Sequence, residues 1–279
     1  MDNMDFKINS VNTISIEKAN GDVVEGIIEF YPSEDIICTI TIPDILEGEK
    51  KMKVLIACEE SQRVCEAFRK LGYEAYSCDI IPCSGGHNEW HIMQDVIPLL
   101  EENISFKTCD NTEYFIDKWD LIIAHPPCTY LTTTGNRWFN IERYGDKARE
   151  RIKLREEAKD FFMKFANAKC EHIAIENPVG VMSTTWRKPD QIIQPWWFGD
   201  PFEKRTCLWL KNLPLLKKDN EVTPEERKVY NNGSCTMPKW YAEASRLPKE
   251  ERAKVRSKTF PGFARAMAEQ WSQYLDSCN

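Results

Sequence analysis

A cysteine follows two prolines in Asp120-Leu-Ile-Ile-Ala-His-Pro-Pro-Cys128-Thr-Tyr-Leu131. The apolar run Leu121–Ala124 predicts a strand buried on both faces. Pro126-Pro127 ends it, since proline neither donates to a sheet ladder nor enters a helix interior. Cys128 is thus expected just past the carboxyl end of a buried strand, where open α/β sheets keep their chemistry. The chemistry available is nucleophilic: an accessible thiolate adds to an electrophilic carbon.

Three further strands are each expected to end in polar residues. Val54–Ala57 leads into Cys58-Glu59-Glu60-Ser61-Gln62, and Ala75–Cys78 into Asp79, with Asp95 beyond. His172–Ile175 leads into Glu176-Asn177-Pro178. In a doubly wound sheet such ends converge on one crevice. Ser61 can cap a helix with Val64, Phe68 and Leu71 on one face, and Gly72 stands where a helix wants its terminal glycine. Strand, helix and strand make a βαβ unit and predict a parallel sheet.

The remaining elements read less sharply. Ile104–Lys107 and Tyr114–Ile116 flank Asp110-Asn111 as a hairpin. Residues 144–169 have helical spacing, Cys207–Leu210 reads as a strand, and Gly262–Leu275 reads as a closing helix with Phe263, Met267 and Trp271 inward. Residues 1–50 form a small β-rich appendage, with Asn20-Gly21 as a hairpin turn. The domains expected are this appendage, a catalytic domain over 51–210, a short basic insert over 211–256, and 257–279 returning to the catalytic domain.

The 279 residues carry a net charge of -7, unevenly spread. Residues 1–50 hold three Lys and eleven Asp/Glu, whereas 204–258 hold fourteen Lys/Arg and seven Asp/Glu. A basic C-terminal part fits contact with a polyanion such as DNA. Eleven cysteines without a regular framework, and no secretion signal or membrane-length apolar run, predict free thiols in a cytoplasmic protein outside the membrane. A monomer is the default expectation. Cys78, Cys83, His87 and His91 have passable zinc spacing, but the stretch runs through Gly85-Gly86, and the expectation is no metal.

In order and spacing, the segment from about Lys53 to Leu210 resembles the S-adenosylmethionine-dependent DNA (cytosine-5) methyltransferases, most of all short phage and prophage forms. Pro126-Pro127-Cys128 resembles the nucleophile motif, Glu176-Asn177-Pro178 a Glu-Asn-Val segment, and Lys204-Arg205 before Cys207–Leu210 an arginine preceding an apolar strand. The resemblance implies a Rossmann-like α/β fold with S-adenosyl-L-methionine as cofactor. It implies Cys128 as nucleophile at carbon 6 of cytosine and Glu176 as an acid of raised pKa at ring nitrogen 3. Arg205 would hold the base near its carbonyl. Asp79 would bind the cofactor's ribose and Asp95 its adenine, with Pro127 against the cofactor. Either Glu59 or Glu60 would face its cationic amino-acid end; the residues do not choose between them. Asn177, Thr129 and Arg137 would touch the target, and Thr132–Trp138 is placed to close over it.

The chain also departs from that pattern. The first loop lacks glycine, His125 replaces a small residue, Thr129 stands where glutamine is usual, and 211–256 is short for a target-reading domain. These leave open a short site, a single-stranded target or a free cytosine nucleotide. Trp186, Trp196, Trp197 and Trp240 are candidates for stacking on bases. Two rivals remain: an amino-group methyltransferase, which would carry an aromatic residue in place of Cys128, and a non-catalytic DNA-binding protein.

Overall fold

The computed structural model describes residues 51–230, 233 and 235–278, together with the backbone of four strands within 5–41. The chain divides into two compact units, Met1–Lys51 and Met52–Asn279. The first holds an antiparallel sheet of β1 (Asp5–Ser10), β2 (Thr13–Glu17), β3 (Val23–Phe30) and β4 (Cys38–Thr41), paired in sequence order. The Asn20-Gly21 turn lies outside the described residues.

The second unit is α/β, with seven strands in one sheet. These are β5 (Lys53–Ala57), β6 (Glu74–Asp79), β7 (His91–Met93), β10 (Leu121–Ala124), β11 (His172–Pro178), β12 (Gln191–Ile193) and β13 (Thr206–Lys211). The order is β12-β13-β11-β10-β5-β6-β7. β5, β6, β7, β10 and β11 are parallel, and β13 runs antiparallel between β11 and β12. Without β13 this is the doubly wound Rossmann-like order, with its switch point between β5 and β10.

Apolar strands explain the layers. Val54, Ile56, Leu121, Ile123 and Ala174 share one buried cluster with α1 (Arg63–Lys70) and α7 (Pro261–Asp276). Leu55, Ala57, Ile122, Ala124, Ile173 and Ile175 share the other with Phe162 and Phe165 of α3 (Asp146–Ala166). Successive residues point to opposite faces and both faces are covered, so these strands need unbroken apolar runs. The expected hairpin is present as β8 (Ile104–Lys107) and β9 (Glu113–Ile116).

Three expectations change and a fourth gains detail. Leu71 lies past the end of α1 and is 45% exposed, because Gly72 at φ +89° turns the chain away. The helix expected over 144–169 is α2 (Ile141–Tyr144) and α3, separated at Gly145 with φ +53°. The expected strand at Cys207–Leu210 is antiparallel, which carries its leading residues to the carboxyl edge of its neighbours. The 211–256 region folds as a hairpin of β14 (Arg227–Tyr230) and β15 (Cys235–Pro238) with α5 (Lys239–Ala244) and α6 (Lys249–Ser257). Among the described residues no helix is long and apolar enough to cross a membrane.

Candidate active site

Cys128 lies four residues past β10, at the carboxyl edge beside the switch point. Asn177, 2% exposed, donates through Nδ2 to the Pro126 carbonyl at 2.7 Å. That bond pins the proline turn to β11. It occupies the side chain expected to touch the target, so Asn177 positions Cys128. The amides of Leu131 and Thr132 return to the Cys128 carbonyl at 3.0 and 3.1 Å, closing a tight turn that starts at Cys128. Burial pushes the thiol up, the Glu176 charge adds to this, and the Lys204 charge opposes it.

Glu176 is the fifth residue of β11, within the strand rather than after it. Its Oε2 lies 3.0 Å from His125 Nδ1, and both side chains are about nine-tenths buried. Burial raises the Glu176 carboxyl, but the His125 hydrogen bond, the Lys204 charge and Thr206 outweigh it, and the net shift is down. The raised pKa expected of this acid is therefore not its resting condition. Its environment holds a carboxylate, so His125 Nδ1 is the donor of the contact.

The antiparallel β13 delivers the site's cation. Thr206 pairs with Pro178, so Lys204 and Arg205 arrive at the end of β11. Arg205 is exposed, and its charge acts on Cys207. Lys204 is half-buried, and its charge acts on both Cys128 and Glu176. Its Nζ donates to the Arg256 carbonyl at 3.1 Å, tying the site to the end of α6. Sequence reasoning passed over Lys204 because the strand direction, which decides which side chain turns inward, is not written in Lys-Arg-Thr.

The acidic candidates separate. Glu59 accepts from the amides of Val64 at 2.8 Å and Cys65 at 3.2 Å, so it caps α1 in place of the expected Ser61. Glu60 Oε1 is buried with no hydrogen-bond partner among the described residues. Glu60 lines a pocket of about 230 Å³ with Cys58, Asp79, His125, Lys254 and Lys258. Asp79 is half-buried, and burial raises its carboxyl. Exposed Asp95 accepts from the Ile97 amide at 3.0 Å, while its charge reaches Cys58 as that of Asp79 does. Pro127 and Thr129 are exposed beside Cys128, and exposed Arg137 lies over the Trp138 ring at 4.7 Å.

Two non-glycine residues hold the left-handed backbone of the first loop, Cys58 at φ 60° and Gln62 at φ 59°. Strained backbone of this kind persists where its surroundings over-determine it. Here Gln62, 1% exposed, donates to Ser77 Oγ and the His87 carbonyl and accepts from the His87 amide.

His91, one of the spaced Cys and His residues, spends Nδ1 on Ser77 Oγ and Nε2 on the Ile81 carbonyl, both at 2.9 Å. Cys78 bonds the Gln94 carbonyl, and His87 stacks on Trp90 at 3.8 Å. No group of three or more metal-ligating side chains occurs among the described residues. Trp186 packs on Phe162 and Trp209, and Trp240 packs on Phe202 and Phe260. Trp196 and Trp197 lie under Lys218 Nζ.

Compared with known proteins, the chain matches no family model and no curated sequence.

Proposed function

We propose that the protein transfers a methyl group from S-adenosylmethionine to carbon 5 of cytosine in DNA. The observation that carries this reading is the grouping of Cys128, Glu176 and Lys204 at the carboxyl edge of the sheet, beside a pocket lined by Glu60, whose buried Oε1 has no partner among the described residues.

The residues present fit the cofactor. Glu60 offers a buried carboxyl oxygen without a partner to an ammonium group, and Asp79 stands at the second strand end, the place of a ribose-binding acid in βαβ units. S-adenosylmethionine, when bound, supplies the methyl group as an electrophile on a sulfonium.

On the target side, Lys204 favours the Cys128 thiolate, which bonds to carbon 6 of the ring. The π electrons shift toward carbon 5 as ring nitrogen 3 takes a proton. The His125–Glu176 pair is placed to hold that proton: Nε2 of His125 is buried without a partner, so a proton gained there makes the pair a donor. Carbon 5 then becomes enamine-like and nucleophilic. Once carbon 5 carries the methyl group, the cofactor having left as a neutral thioether, loss of the protons on carbon 5 and ring nitrogen 3 and expulsion of the Cys128 thiolate restore the aromatic ring.

The test is covalent trapping with 5-fluorocytosine in an oligonucleotide, with S-adenosylmethionine present. Fluorine at carbon 5 blocks the final proton loss, so a denaturation-resistant adduct is expected, absent in Cys128→Ser. Cofactor binding without any adduct overturns Cys128 as nucleophile.

A further inference from the structure

The chain just beyond Cys128 builds a second feature. A cleft of about 470 Å³ opens between the 130–144 segment and α3, lined by Tyr130, Trp138, Tyr144, Lys147, Glu150 and Arg151. Tyr130, one of its lining residues, follows the nucleophile by two positions in the chain. Trp138 is 41% exposed, and its ring centroid is 5.1 Å from that of Tyr144 at an interplanar angle of 47°.

A guanidinium lies over each of these rings: Arg137 over Trp138 at 4.7 Å, Arg143 over Tyr144 at 5.4 Å, and Arg151 over Tyr130 at 5.0 Å. Behind them Arg155 sits 3.3 Å over Phe139, donates through Nε to the Tyr130 carbonyl at 2.9 Å, and donates through Nη2 to Asn136 Oδ1 at 2.8 Å. Residues 137–155 carry seven Lys/Arg against three Asp/Glu.

Exposed Trp138 beside half-buried Tyr144, set among cations, offers stacking and phosphate contacts together. Those are the two contacts by which proteins hold unpaired nucleotides. In a duplex the base faces are covered by their neighbours, and such rings have nothing to stack on.

We propose that this cleft binds a single-stranded polynucleotide, seating the unpaired bases that flank the target on Trp138 and Tyr144. The inference deepens the methyl-transfer reading, on which it rests for the identity of the base at Cys128. It places the first grip on the substrate in the 130–155 region rather than in the basic 204–258 segment. In that segment Lys218, Arg227 and Lys228 are paired with Glu221, Glu203 and Glu243, as Arg149 and Lys153 are with Asp146 and Glu157 here, and what sets the cleft apart is the exposed ring among its cations.

The test is fluorescence anisotropy of the full chain with a labelled cytosine-containing single strand, its duplex and deoxycytidine monophosphate, without cofactor. Single-strand binding tighter than duplex binding is expected. Trp138→Ala should weaken it about ten-fold, as the loss of one stacked base does, and Trp138→Phe should restore most of it. Affinity should fall with salt. Equal or tighter duplex binding, or single-strand affinity unchanged within about two-fold in both Trp138→Ala and Tyr144→Ala, overturns the proposal.

The two readings fail separately. Cleft-dependent binding with no 5-fluorocytosine adduct sinks methyl transfer and leaves the cleft. An adduct that forms on duplex DNA equally well in Trp138→Ala and the unaltered chain does the reverse.

Discussion

Nδ1 of His125 meets Oε2 of Glu176 at 3.0 Å, joining the residue that follows β10 to the fifth residue of β11. The contact is possible because Ala124 pairs with Ile175, so the next residue of each parallel strand faces the other. It also fixes the charge of Glu176, whose burial alone would push the carboxyl up.

Removing His125 shifts that balance toward burial. In the unaltered chain the lowered Glu176 pKa contributes stability at pH above the ordinary carboxylate range, and the contribution is lost as pH falls through the folded value. In His125→Ala only the Lys204 charge and the Thr206 hydrogen bond still oppose burial, so the carboxyl titrates higher and the stability it contributes at neutral pH shrinks. Losing one partner of a buried pair costs about 3 kcal/mol at neutral pH. The cost of His125→Ala is therefore expected to be larger at pH 7 than at pH 4, as read by denaturant unfolding. An equal cost at both pH values would mean that the pair carries no charge.

Glu59 and Glu60 are adjacent and make opposite predictions. Glu59→Ala removes the cap from two amides of α1 and should cost about 1–2 kcal/mol of stability. Glu60→Gln loses no hydrogen bond at Oε1 and should unfold at or above the unaltered midpoint. Its deficit belongs in binding, with S-adenosylmethionine affinity down about ten-fold by calorimetry, as for a charge-assisted contact. If Glu60→Gln binds the cofactor normally, its unpartnered oxygen has another purpose.

The strands that place the site were legible because burial on both faces demands unbroken apolar runs. Leu121–Ala124 and Val54–Ala57 are of this kind, and each ends in residues that break a strand. The charge assignments were less legible because they depend on which way a side chain turns. Glu59 and Glu60 look alike in sequence and line the same pocket, yet one is drawn to the amides of Val64 and Cys65 while the other keeps a buried oxygen without a partner among the described residues. The cleft at Tyr130 and Trp138 was hidden for another reason. Its rings are gathered by α2 and the turn at Gly145, and the periodicity of 144–169 carried no sign of that break.

Lys204 and Arg205 offer a second paired test. Lys204→Met removes a cation that opposes the rise of the Cys128 pKa, so the thiol should ionise at still higher pH. The rate of 5-fluorocytosine adduct formation should fall about ten-fold at neutral pH, with its rise displaced toward alkaline pH. Lys204→Arg should restore most of the rate. Arg205→Met should leave the pH profile in place, since Arg205 is exposed and acts on Cys207. A displaced profile in Arg205→Met alone would return the role to the arginine.

Gly180 connects the nucleophile's turn to the Glu176 strand by having no side chain. A Cβ built there would lie 2.2 Å from the Leu131 carbonyl oxygen and 2.9 Å from its carbon, backbone that cannot rotate aside. Around this approach the Val181 amide donates to that same oxygen at 2.8 Å, and Thr133 donates to the Val179 carbonyl at 3.3 Å. Gly180→Ala must therefore push the 131–133 segment away, and with it the turn that closes on the Cys128 carbonyl. A displacement of about 1 Å at a reacting group costs on the order of a hundred-fold in rate. The variant is expected to lose adduct formation by that order and about 1–3 kcal/mol of stability. Cofactor binding should hold, because the Glu60 pocket draws nothing from Leu131–Thr133. Gly180→Ala forming the adduct at the unaltered rate would show that Cys128 does not depend on this contact for its position.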